Sequence, residues 1–268
     1  MKKRIITGAV LAIVLGLLIY FGEGKLSFLF SGFCVLLSLA ASYEFTKMSR
    51  NKKAIRWFDF IAVIMTGIFS TLSVIFFDQI IFYKYIYIFL LSIILFYTFL
   101  FISIKDFTRL DFSNQILTIF YSSLGFISFA YLRRIDINLI IYLLLVAMIT
   151  DVFAYFIGIQ FGRHRLAVNI SPKKSIEGAI GGMIFGTITA SLYGYFFKVF
   201  TFDYIYIILL SIALSCISQI GDLIASKFKR EANIKDYSNL FPGHGGVLDR
   251  FDSSMFAAIF LMLAVILF

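Results

Sequence analysis

The chain has 268 residues, of which 61% are hydrophobic and 15% charged, and its formal net charge is +9. An average soluble domain carries roughly 25% charged residues, so this composition excludes an ordinary water-soluble globule. It also leaves no soluble domain on which a nucleic-acid interface could be built, so nucleic acid is not an expected partner.

Apolar runs close to the roughly 20 residues needed to cross a bilayer recur from end to end. They lack the apolar–polar alternation of barrel strands, and backbone groups in lipid must pair internally, so helices are expected. In chain order the predicted spans are 5–22, 26–43, 58–77, 84–104, 115–133, 137–160, 178–200, 204–225 and 253–268. The expected fold is therefore an all-α, polytopic bundle of about nine transmembrane helices. The first span follows Lys2, Lys3 and Arg4, but it is long for a signal peptide and lacks a small-residue cleavage site. It is read as a retained helix. Cys34 and Cys216 both lie within apolar runs without metal-type spacing and are read as packing residues.

Basic residues in the connections set the orientation. With the N-terminus cytoplasmic, 19 of the 24 Lys and Arg fall inside. Lys52 and Lys53 belong to the inside set, whereas Lys25, Lys84, Arg133, Arg134 and Lys198 fall outside. Part of the positive charge is thus a topology signal combined with attraction to anionic lipid.

The eighth and sixth spans hold ionisable residues that are costly in lipid and therefore point to function. Ser211, Ser215, Ser218, Asp222, Ser226 and Lys229 share one helical face. Interhelical hydrogen bonding accounts for Ser211 and Ser215, whereas Asp222 suggests a wet, cytoplasm-facing polar cavity. In the sixth span, Asp151 shares a face with Tyr155, Gly158 and Gly162. The following segment includes Ser171, Lys173, Lys174 and Glu177, just before the glycine-rich start of a helix. Such a segment suits a phosphate or carboxylate, although positive-inside signalling also explains its lysines.

Residues 226–252 are too rich in chemistry for a connector. They include five basic and four acidic residues, His244, and Gly243, Gly245 and Gly246, where backbone can approach a ligand. Asp222 and Asp249 bracket this stretch. Hard oxygen ligands of this kind hold Mg²⁺, which binds through one or two carboxylates and substrate phosphates. Phosphoryl or nucleotidyl transfer needs that arrangement. No Walker loop, HExxH or CxxC occurs. Asp252 also has a plain alternative as the N-cap of the last span.

The string SKFKREANIKDYSNLFPGHGGVLDRFD at 226–252 closely resembles the signature of the phosphatidate cytidylyltransferases, or CDP-diacylglycerol synthases. Ser226, Lys229, Arg230, Lys235, Asp236, Pro242, His244, Gly245, Gly246, Asp249, Arg250 and Asp252 carry the match. Asp151 with Tyr155 and Gly158, and the segment Ser171 to Gly178, also resemble family segments. The resemblance implies that CTP and phosphatidate become CDP-diacylglycerol and pyrophosphate. It further implies dependence on Mg²⁺, a second monovalent cation such as K⁺, and a homodimer in the bacterial inner membrane with the active-site loops cytoplasmic. Combined with the residue reading, it assigns Asp222 and Asp249 to the metal and Asp222, Asp249, Lys229, Arg230 and His244 to catalysis. Substrate binding falls to Asp151, Ser171, Lys173, Lys174, Ser226, Lys235, Asp236, Gly245, Gly246 and Arg250. The N-terminal helices (1–135) would support a catalytic membrane region (136–268). A CTP-dependent lipid kinase and a secondary transporter with intramembrane carboxylates are the competing readings.

Overall fold

A computed structural model of the chain describes residues 2–22, 26–50, 54–77 and 82–267. Lys25, Lys52 and Lys53, used in the orientation argument, lie outside the described residues. Nine helices run in chain order among the described residues: α1 (Lys2–Phe21), α2 (Ser27–Ser49), α3 (Trp57–Phe76), α4 (Phe82–Ser103), α5 (Arg109–Ile135), α6 (Ile137–Phe161), α7 (Ile176–Phe196), α8 (Tyr204–Glu231) and α9 (Leu248–Leu267). Eight of them, α2 to α9, are long and apolar enough to cross a membrane, and α1 contributes the shorter apolar stretch Thr7–Phe21. The all-α, polytopic membrane architecture expected from composition is the one observed.

Several boundaries differ from the hydropathy pattern for a common reason. Polar residues on an inward face lower the local hydropathy but do not stop the helical hydrogen-bond ladder. The seventh span thus begins at Ile176, α8 runs on to Glu231, and Lys229 and Arg230 are helical rather than part of a loop. At the other end of the signature, α9 begins at Leu248. Asp252 therefore lies inside a helix and is not an N-cap. The all-α expectation also omits a small antiparallel hairpin, β1 (Arg165–Ala167) with β2 (Ser171–Ser175), which joins α6 to α7.

The chain forms two compact units. The first comprises residues 1–131 and 236–248. Its apolar core includes Phe58, Ala62, Tyr97, Phe107 and Ile119. A charged network also sits in this unit. Arg50, at the end of α2, pairs with Asp59 of α3 at 2.5 Å and Asp111 of α5 at 2.6 Å. Gln115 of α5 donates to Asp59 at 2.5 Å, and the Arg50 guanidinium lies 4.9 Å from the centre of the Phe58 ring. Burial opposes the charge on Arg50, but hydrogen bonds and attraction from Asp59 and Asp111 outweigh it and raise its pKa above the ordinary value. Arg50 is thus more than a topology signal.

The second unit comprises residues 132–235 and 249–268. Helices α6 and α7 meet along glycines. A Cβ on Gly182 would lie 2.5 Å from the Thr150 carbonyl oxygen, and one on Gly178 would lie 2.5 Å from that of Ala154. This close approach is the packing that small residues allow between helices in lipid. Ser175 ends β2 and caps α7 by accepting from the Gly178 amide at 3.1 Å. Helix α8 is fixed by hydroxyl pairs, as expected for its serines: Ser211 bonds Tyr142 and Ser191, and Ser215 bonds Thr150.

Candidate active site

The inward face of α8 carries the site in the second unit. Ser218, Ser226 and Lys229 are buried along it, and Asp222 is half-buried between them. Gly221 lets α9 approach closely, because a Cβ there would come within 2.7 Å of the Asp252 carbonyl oxygen. The consequence is that polar side chains from α6, α8, α9 and β2 converge.

Four carboxyl groups and two ammonium groups occupy this region. Lys229 donates to Asp249 at 2.8 Å and lies 3.9 Å from Asp252. Its side chain is 11% exposed and that of Asp249 only 2%. Lys174 of β2 forms an ion pair with Asp222, and both remain about a quarter open to surroundings, at 29% and 25%. Ser226 donates to Asp222 at 3.3 Å, and Ser253 donates to Asp151 at 2.9 Å. Asp252 lies close enough to Asp222 and Asp151 to feel the charge of each. In lipid such a concentration of acids is expensive unless cations balance it.

The chemistry of these donors fits a hard cation. Among the described residues no group of three or more His, Cys, Asp or Glu side chains forms a metal cage. Mg²⁺ does not require one, since it commonly takes one or two carboxylates and completes its shell with water and substrate phosphate.

The remaining sequence candidates are placed differently. Arg230 is exposed and donates to the carbonyls of Ile170 at 3.3 Å and Ile234 at 3.4 Å, which ties the end of α8 to the hairpin turn. Lys173, Lys235, Asp236 and Arg250 are exposed, and Ser171 opens β2 half-buried. His164 is solvated, with its side chain 75% exposed, and contacts Glu177 through Nδ1 at 2.6 Å.

Residues 241–246 lie in the first unit and form a tight turn. His244 donates its amide to the Phe241 carbonyl at 2.8 Å, and Gly243 has φ 78°. Proline at the second position and a positive-φ glycine at the third are the signature of a type II turn. Gly245 also has positive φ, 81°, and pairs with Phe241. Gly246 has a separate requirement: a Cβ there would meet the Glu44 carboxylate at 2.3 to 2.6 Å. Turn geometry and Glu44 thus account for all three glycines. The Nδ1 atom of His244 is buried with no hydrogen-bond partner among the described residues.

Glu44 escaped the sequence reading because the second span was ended at residue 43. The rule that singled out Asp222, an ionisable group within a membrane helix, would have found it, since α2 runs to Ser49.

The second unit is thus a set of membrane helices on which carboxylates and lysines converge. The chain belongs to the cytidylyltransferase family, whose family model matches residues 2–268. It is 32% identical over 271 residues to a phosphatidate cytidylyltransferase of Bacillus subtilis, with 100% of this chain and 98% of the relative covered. Proteins of the same name from Staphylococcus haemolyticus and Staphylococcus aureus are 40% and 37% identical over 174 residues, covering 65% of this chain and 66% of theirs.

Proposed function

We infer that the chain is a phosphatidate cytidylyltransferase that makes CDP-diacylglycerol by metal-assisted nucleotidyl transfer. The end-to-end similarity to the Bacillus relative supports the reaction. For the site, the carrying observation is the convergence of Asp151, Asp222, Asp249 and Asp252 with Lys174 and Lys229.

An oxygen of the phosphatidate phosphate attacks the α-phosphorus of CTP. A new P–O bond forms as the bond between the α- and β-phosphates breaks, and pyrophosphate leaves. The lipid phosphate has its second pKa near 6, so it is largely dianionic at neutral pH and needs no strong base. Asp222 and Asp249 are the residues that would hold Mg²⁺, and Ser226 supports Asp222. When bound, Mg²⁺ supplies charge neutralisation on the phosphates. A monovalent cation such as K⁺ would share the carboxylate-rich region. Lys229 orients Asp249. Lys173, Lys174, Arg230, Lys235 and Arg250 clamp the triphosphate and lipid phosphate, and His244 serves as a hydrogen-bond donor. Asp151, Ser171, Asp236 and the Gly245–Gly246 backbone complete the substrate side.

The site opens through a polar cavity to the cytoplasm, with the N-terminus on the same side of a bacterial inner membrane and the chain paired as a homodimer. The basic connections support that orientation.

Purified protein supplied with labelled CTP, phosphatidate and graded Mg²⁺ is expected to release pyrophosphate and form CDP-diacylglycerol. Release of CDP instead would identify a lipid kinase. Asp222→Asn and Asp249→Asn are each expected to lose nearly all activity while remaining folded. Ordinary turnover in either variant removes the metal-ligand assignment.

A further inference from the structure

We propose that Glu44, on a helix outside the carboxylate cluster, is a positioning residue of the reaction. Its buried carboxylate fixes the turn that carries His244 and the start of the helix that carries Asp249. The proposal rests on the cytidylyltransferase reading.

Glu44 is 3% exposed within α2. Its Oε1 accepts from the Ser238 hydroxyl at 2.6 Å and the Val247 amide at 2.9 Å, and its Oε2 accepts from the Leu248 amide at 3.0 Å. Leu248 is the first residue of α9, so the carboxylate sits at that helix's positive end. A helix start can be satisfied by a neighbouring Ser or Asn at the N-cap. Here the acceptor comes instead from a residue about 200 positions away in sequence. A local cap would satisfy the same amides without fixing where the turn lies. A carboxylate borne by a membrane helix does both, at the cost of burying a charge. Gly246 is part of the same device, since any side chain there would strike Glu44. His244 lies within the turn so held, and Asp249 follows directly on the last anchored amide.

The test uses the full chain in detergent with Glu44→Ala, Glu44→Gln, Gly246→Ala and the double variant Glu44→Ala/Gly246→Ala. The turnover number, the KM for CTP, the folded fraction and hydrogen–deuterium exchange of residues 238–248 are measured. Misplacement of catalytic groups by about 1 Å costs on the order of 100-fold in rate. Glu44→Ala is therefore expected to lower kcat by about that factor with KM for CTP nearly unchanged, and to raise exchange in 238–248 selectively. Glu44→Gln, which keeps one carbonyl acceptor, should fall between it and the parent. Gly246→Ala alone should impair turnover, yet add nothing once Glu44 is alanine, because its Cβ then has room.

Unchanged kcat in folded Glu44→Ala overturns the proposal. So does a loss of activity matched by an equal loss of folded protein, or simple additivity in the double variant. A parent protein that releases no pyrophosphate from CTP and phosphatidate instead refutes the cytidylyltransferase reading. The exchange arm still decides the anchoring in that event, and unaltered protection of 238–248 in Glu44→Ala overturns it.

Discussion

Lys229 and Lys174 each hold a carboxylate of the same cluster, yet their removal should have unequal effects on stability. The Lys229–Asp249 pair is 2.8 Å long with side chains 11% and 2% exposed. Lys229→Met removes the ammonium that pairs with buried Asp249 at 2.8 Å. Breaking a buried pair from one side costs about 3–5 kcal/mol. At roughly 2–4 °C per kcal/mol for a chain of comparable size, the thermal midpoint should fall by about 6–20 °C. The Lys174–Asp222 pair is more open, at 29% and 25% exposed, so Lys174→Met should cost only about 0–1 kcal/mol. Asp249→Asn should lie between them, because Lys229 retains Asp252 at 3.9 Å. Thermal unfolding of the three variants in one detergent, followed by intrinsic fluorescence, measures the order. A Lys229→Met midpoint equal to or above that of Lys174→Met would refute the reasoning.

Two further outcomes follow from packing and charge. Gly182→Ala drives a methyl to 2.5 Å from the Thr150 carbonyl, whereas a Cβ at Gly16 meets nothing within 4 Å. The first change should lower the unfolding midpoint and the second should leave it level or raise it, since alanine is favoured over glycine in helices by about 1 kcal/mol. Asp59 accepts from Arg50 twice, from the Arg56 amide and from Gln115. Asp59→Asn removes the charge that holds Arg50 and turns an amide donor toward those donors. A loss of about 3–5 kcal/mol is expected, seen as a lower midpoint or poor recovery of folded protein.

The membrane architecture was legible because lipid imposes one simple demand, a long apolar run, and the spans satisfy it. The face of α8 was equally legible: Ser211 and Ser215 make the interhelical bonds expected of them, and Asp222, Ser226 and Lys229 share an inward face. What escaped had partners distant in sequence. Leu248 begins α9 although Asp249, Arg250 and Asp252 depress the hydropathy there, and Glu44 supplies the missing acceptors from α2. Arg50 reads as a topology signal until Asp59 and Asp111 are seen around it. The hairpin was hidden by its shortness and by Pro172, and no alternation marks Ser171–Ser175 as a strand. The glycines of the signature were visible, but their reasons lie in turn angles and in Glu44.

The seam between α6 and α7 has a mechanical consequence. Where glycines let a neighbouring backbone come this close, little room is left for the two helices to slide independently. Gly158 and Gly162 meet Ser175, and Ser175 directly follows Lys174 in the chain. Any tilt of the helix carrying Asp151 must therefore drag the hairpin lysine with it. Acid and base on this side of the cluster move as one lever, and a ligand that shifts either will be felt by both.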